Sequence, residues 1–173
     1  MFKRNKITFI SMSIIGVTAA LDLISKHIVD AKMNLYQTIQ VIPDFFNLVY
    51  VKNMGAAFSF LNDAPAWFRK PFFFIIPLAV IALVASLLIK YKTERLKLVA
   101  FSLVIGGALG NFINRIEYGY VIDFLDFKIT PTYHWPSFNV ADIAITTAVT
   151  ILFIDMIKIE NKKRKDKNSK KKK

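Results

Sequence analysis

The chain has 173 residues, enough for one domain, and 54% of them are hydrophobic, with a mean hydropathy of +0.41 that excludes an ordinary soluble globule. It contains no cysteine, so disulfides, thiolate nucleophiles and zinc–thiolate sites are excluded. A net charge of +12 suggests nucleic acid until its placement along the chain is considered.

The first element is the apolar run Ile7–Leu21, ITFISMSIIGVTAAL, which extends through Asp22 to Ile24 and is preceded by Lys3, Arg4 and Lys6. The same segment resembles a cleavable signal peptide, with VTA at 17–19 as the cut. Cleavage would leave three spans and export a basic segment, so an uncut anchor is expected.

About 45 residues follow, from Ser25 to Lys70. Within them TIQVIPDFFNLVYVKN is β-branched and aromatic around a Pro43-Asp44 turn, which predicts a short sheet. NDAPAWFRK, with Trp67 and two cations, suits the headgroup level.

The second span is the clearest: Pro71–Ile89 has no charge over 19 residues, enough to cross about 30 Å of hydrocarbon as a helix. Lys90, Lys92, Arg95 and Lys97 then bracket a turn, and Leu98–Asn114 gives 17 more uncharged residues. The segment Arg115–Asn139 contains TPTYHWPSF and is predicted to be a short aromatic loop at the bilayer surface. The last run, Ile143–Ile154, is only 12 residues long between Asp142 and Asp155, and spans only if those aspartates lie near its ends.

The expected fold class is therefore an all-α integral membrane protein of four transmembrane helices, with a small β-platform between the first two. Four spans put the N-terminus, the basic turn and the segment Lys158–Lys173, with its tail NKKRKDKNSKKKK, on one side, with 17 of the 24 basic residues. The positive-inside rule makes that side cytoplasmic. Residues 1–160 are expected as a single membrane-embedded domain, with 161–173 as a disordered basic tail near anionic lipid. Nucleic acid is not an expected partner; membrane lipid is.

With this topology the polar residues share a depth, the outer membrane–water boundary. Asp22 and Lys26 end the first span; Asn111 and Arg115 end the third on one helical face. Asp123 and Asp126 follow in GYVIDFLDF, Asn139 and Asp142 open the fourth span, and Asn53 lies beside Gly55 and two alanines that permit close backbone approach.

Each has a plain alternative. Asp22–Lys26 makes a local ion pair, Arg115 snorkels to phosphate, and Asn139 or Asp142 caps a helix. Asp126 is expected as a solvated interfacial charge, and His134 and Trp135 as interfacial anchors. Asp155 and Glu160 are expected to be solvated. These alternatives account for each residue separately and not for the common depth, which marks function.

Nucleophilic catalysis lacks a cysteine or a recognisable serine–base pair. Metal binding lacks a two-histidine motif, and none is expected. Paired carboxylates remain: two close together cannot both ionise cheaply, so one can activate water while the other polarises a peptide carbonyl.

NMGAAFSF, GGALGNFINRIEYGYVIDFLDF and FNVADIAI, after an early DLISK, resemble the bacterial lipoprotein signal peptidases (signal peptidase II) over residues 15 to 155 or so. The resemblance implies four membrane helices in the bacterial cytoplasmic membrane and an outer β-platform. It also implies an aspartyl endopeptidase, sensitive to globomycin, that cuts diacylglyceryl-prolipoproteins before the lipidated cysteine. Asp123 and Asp142 would be the catalytic dyad. Asn53, Gly55, Asn111, Arg115 and Asn139 would bind substrate or position the dyad, with Asp22, Lys26 and Asn114 in support. No cofactor is implied, and a monomer is expected.

One residue departs from the pattern. The family reads G-N-x-x-D-R, whereas GNFINR has Asn114 in place of the aspartate, whose task would be to orient neighbours such as Arg115. The alternative class is a non-catalytic membrane protein, either an inactive homologue that binds lipoproteins or a small transporter. A transporter would carry ionisable groups near the midplane, where these spans have none.

Overall fold

The computed structural model of the protein describes residues 2–55, 65–130 and 132–171. Residues 56–64, with Ala56 and Ala57 of the expected close-approach motif, lie outside them, as does the end of the basic tail.

Among the described residues, four helices are long and apolar enough to cross a membrane: α1 (Phe2–Lys32), α2 (Ala66–Tyr91), α3 (Arg95–Tyr118) and α4 (Val140–Lys171). Each outruns its apolar run in the sequence because helices continue past the hydrocarbon until a stop signal. For α3 the stop is Gly119, whose φ of 77° lets its N–H return to the Arg115 carbonyl at 3.0 Å. α4 continues to Lys171, so the tail expected to be disordered from residue 161 is helical to that point. Lys and Arg are good helix formers, and Arg164 Nε donates to Glu160 one turn back at 3.2 Å.

α3 lies at the centre, in contact with the other three helices. Three glycines make this possible. A Cβ on Gly107 would stand 2.7 Å from the Ala141 carbonyl oxygen of α4, and one on Gly110 would collide with the Asp22 carboxylate of α1. The outer helices leave large apolar side chains exposed, among them Phe9, Leu83 and Phe153, as a lipid-facing surface requires.

The second outer segment corrects the sequence expectation. It is not a loop but two strands, β3 (Val121–Thr130) and β4 (Tyr133–His134), which extend the hairpin β1 (Thr38–Ile42) and β2 (Phe46–Asn53). The sheet is antiparallel in the order β1-β2-β3-β4. GYVIDFLDF forms a strand because its Val, Ile and Phe bury both faces where the sheet meets the helix ends, so no simple alternation is visible. Ile122 and Phe124 join Val29 of α1, Met33 just beyond its end and Tyr50 of β2 in the core beneath the sheet. Pro43-Asp44 makes the β1–β2 turn as predicted, with Asp44 at φ 56°.

Candidate functional site

Asp123 and Asp142 line one cavity of about 530 Å³, where the sheet meets the ends of the helices. Asn53, Asn111, Arg115 and Asn139 line it too. Gly55 accompanies them: Arg115 donates to its carbonyl at 3.1 Å, and its N–H donates to Asn53 Oδ1 at 3.0 Å.

Asp142 enters the cavity from the first turn of α4. Asn139 is the N-cap: its Oδ1 accepts from the Asp142 N–H at 3.1 Å, and Asp142 Oδ2 accepts from the Asn139 N–H at 3.2 Å. This reciprocal capping box was foreshadowed by FNVAD, where both residues are possible caps. Another free N–H of the turn, on Ala141, donates to Asp22 Oδ1 of α1 at 2.8 Å. Two carboxylates therefore sit at the positive end of the helix dipole.

Asp123 enters from β3. Its Oδ2 accepts from Asn53 Nδ2 at 2.9 Å and its Oδ1 from Asn139 Nδ2 at 2.7 Å. Asn139 thus touches both carboxylates, donating its side-chain amide to Asp123 and its backbone N–H to Asp142. Asp123 is only 3% exposed. Burial pushes its carboxyl up to about 6, while the Asn53 and Asn139 amides lower it and the Asp142 charge raises it further.

Asp22 and Lys26 make the expected ion pair at 2.7 Å, but it is not merely local. Both side chains are buried, and Lys26 Nζ also donates to Asn111 Oδ1 at 2.6 Å. With its oxygen fixed by a cation, the Asn111 amide presents Nδ2 to Asp142 Oδ1 at 3.1 Å. Arg115 does not follow its plain alternative of snorkelling to phosphate: it turns inward, and its guanidinium lies 5.0 Å from the centre of the Phe73 ring.

Asn114 supports the strand that carries Asp123. Buried at 1% exposure, its Oδ1 accepts from the Ile122 N–H at 2.8 Å and so fixes the start of β3 one residue before Asp123. Asp126 also needs correction, because it is buried and not solvated. Its carboxylate accepts from Asn47 Nδ2 at 2.7 Å and faces His134 Nδ1 at 2.8 Å. Strand burial took it out of water, and two neighbours replaced that water. His134, expected only as an interfacial anchor, is its partner, and Trp135 lines the cavity. Asp155 is also less solvated than expected, at 17% exposure, with Lys97 at 4.0 Å.

Sequence reasoning missed the close approach at Gly110 and the partners of Asp126. Three glycines in GGALG, at positions 106, 107 and 110 of an apolar helix, were an available signal for the first. Nothing in the sequence links Asn47 to Asp126, since only strand pairing sets them opposite one another.

Residues 14–158 match the family described as signal peptidase (SPase) II. A "Lipoprotein signal peptidase" of Geobacter metallireducens is 43% identical over 152 residues, which are 87% of this chain and 92% of that protein. A protein of the same name from Haemophilus influenzae is 42% identical over 168 residues, covering 96% of this chain and 95% of the relative. A bacterial membrane enzyme solved by the in meso method at 1.9 Å resolution superposes with a TM-score of 0.75 at 34% identity, over 86% of this chain and 92% of that one. The chain belongs to the signal peptidase II family.

Proposed function

We propose that this peptidase is an aspartic endopeptidase that removes the signal peptide from diacylglyceryl-modified prolipoproteins, cutting before the lipidated cysteine. The observation that carries the proposal is the convergence of Asp123 and Asp142, from a strand and a helix far apart in the chain, on one cavity and one shared hydrogen-bond partner, Asn139. Two carboxylates on one cavity, Asp123 buried and Asp142 partly so, favour a single shared proton. The ionised member takes a proton from water, and the water oxygen attacks the scissile carbonyl. The protonated member donates to the carbonyl oxygen. Collapse of the tetrahedral diol then breaks the C–N bond as a proton passes to the leaving amine.

Asn53, Asn111 and Asn139 hold the carboxylates, and Arg115 holds the Gly55 carbonyl at the cavity edge. The basic residues gather at the helix ends remote from the sheet, which supports cytoplasmic termini and a site at the outer face of the bacterial inner membrane. The signal helix enters from the bilayer, so depth sets the cut as much as sequence does.

The deciding experiment is cleavage of a diacylglyceryl-modified precursor by Asp123→Asn and Asp142→Asn. Each is expected to lose about 10²–10⁴-fold or more in rate while remaining folded. Wild-type cleavage by either variant would remove the dyad.

A further inference from the structure

The cavity has a wall that the dyad does not explain. Trp135, Pro136, Ser137 and Phe138 line it between β4 and the cap of α4. Backbone bonds tie this segment to β3: the Trp135 N–H donates to the Phe127 carbonyl at 2.7 Å, and the Phe138 N–H to the Leu125 carbonyl at 3.0 Å. The next residue, Asn139, is the one that touches both aspartates.

On the strand face away from Asp123, Asp126 reaches His134 across the β3–β4 pairing, at 2.8 and 3.0 Å from Nδ1 to its two oxygens. Asn47, the cross-strand partner of Asp126 on β2, donates to it at 2.7 Å. A buried carboxylate is thus anchored on one side to the sheet and on the other to the residue immediately before Trp135. An imidazole with hydrogen on Nδ1 donates to the carboxylate whether it is neutral or charged.

We propose that His134, held by Asp126, is a positioning residue that fixes the Trp135–Phe138 wall of the substrate cavity and so governs substrate binding more than chemistry. The proposal rests on the peptidase reading for its substrate and not for its geometry. Its sequence logic is independent of the dyad, because Asp126 and Asp123 lie on the same strand and point to different partners.

The test uses the full chain in lipid bicelles. His134→Ala leaves Asp126 paired with Asn47, so the fold is expected to survive. KM for the diacylglyceryl-modified precursor is expected to rise about fivefold, the size of one half-exposed hydrogen bond to a charged group. The turnover number should stay within about twofold. His134→Gln supplies an amide donor to the same carboxylate and is expected to restore KM.

The chain has two tryptophans, so in a Trp67→Phe background Trp135 becomes a lone fluorophore. Its acrylamide quenching is expected to increase in His134→Ala and to return in His134→Gln. Unchanged quenching in His134→Ala overturns the proposal, as does increased quenching with unaltered KM. If the parent chain fails to cleave the precursor at all, the proposed function falls; the quenching series then still decides whether His134 holds the wall.

Discussion

Asp123 and Asp126 sit three residues apart on one strand, and both are buried, yet their surroundings differ in kind. Asp126 meets Asn47 and His134 on the strand face away from Asp123, whereas Asp123 meets two amide donors and the field of a second carboxylate. Because the folded state holds the Asp123 proton up to about pH 6, against an ordinary value of 3.8, it binds more protons than the unfolded chain across that interval. The stabilising contribution is complete below the unfolded value and is lost as pH rises toward 6. Chemical denaturation at pH 4 and pH 7 should therefore show the wild type losing stability relative to Asp123→Asn, by about 1–3 kcal/mol. An identical pH slope in both proteins would contradict the raised value. Asn114 invites a second measurement. A carboxylate there would accept the Ile122 N–H as the amide oxygen does, so Asn114→Asp is expected to retain or increase activity. Asn114→Ala would leave that buried N–H unpaired and should cost about 1–3 kcal/mol in denaturation experiments. The retained acceptor is why Asn114 does not favour an inactive homologue.

At the scale of elements, the N-terminus of α4 organises the site. Its Asn139–Asp142 capping box aims Asp142, and Asp22 of α1 completes the turn through the Ala141 N–H. Asp22 can reach that turn only because Gly110 of α3 has no Cβ in its path. Gly110→Ala is expected to force α1 and α3 apart, to destabilise the protein by about 1–3 kcal/mol and to reduce peptidase activity although position 110 is no part of the proposed dyad. A melting curve and a cleavage assay check it together; normal values in both would show that the two helices can separate without cost. The cap was legible in FNVAD because capping is local chemistry. The strand around Asp123 was not, because an apolar segment buried on both faces carries no alternation to distinguish it from a membrane-boundary loop.

For the whole molecule, the distribution of charge supports the proposed orientation. The absence of cysteine gives a clean reporter background. A single cysteine at Asn168→Cys should resist a membrane-impermeant maleimide in intact cells, whereas Asn34→Cys, beyond the end of α1, should react. The opposite pattern would invert the topology and place the cavity on the cytoplasmic side. The sequence by itself determined the four long apolar helices, the hairpin turn at Pro43-Asp44, and the residues worth watching, since span length, turn chemistry and the desolvation cost of polar groups are properties of short segments. Only the tertiary structure decided which of those residues meet. The pairing of β3 with β2, the glycine contacts of α3 and the reach of Lys26 to Asn111 join segments remote in the chain. No local pattern encodes such contacts, because they depend on how surfaces formed by different elements fit together.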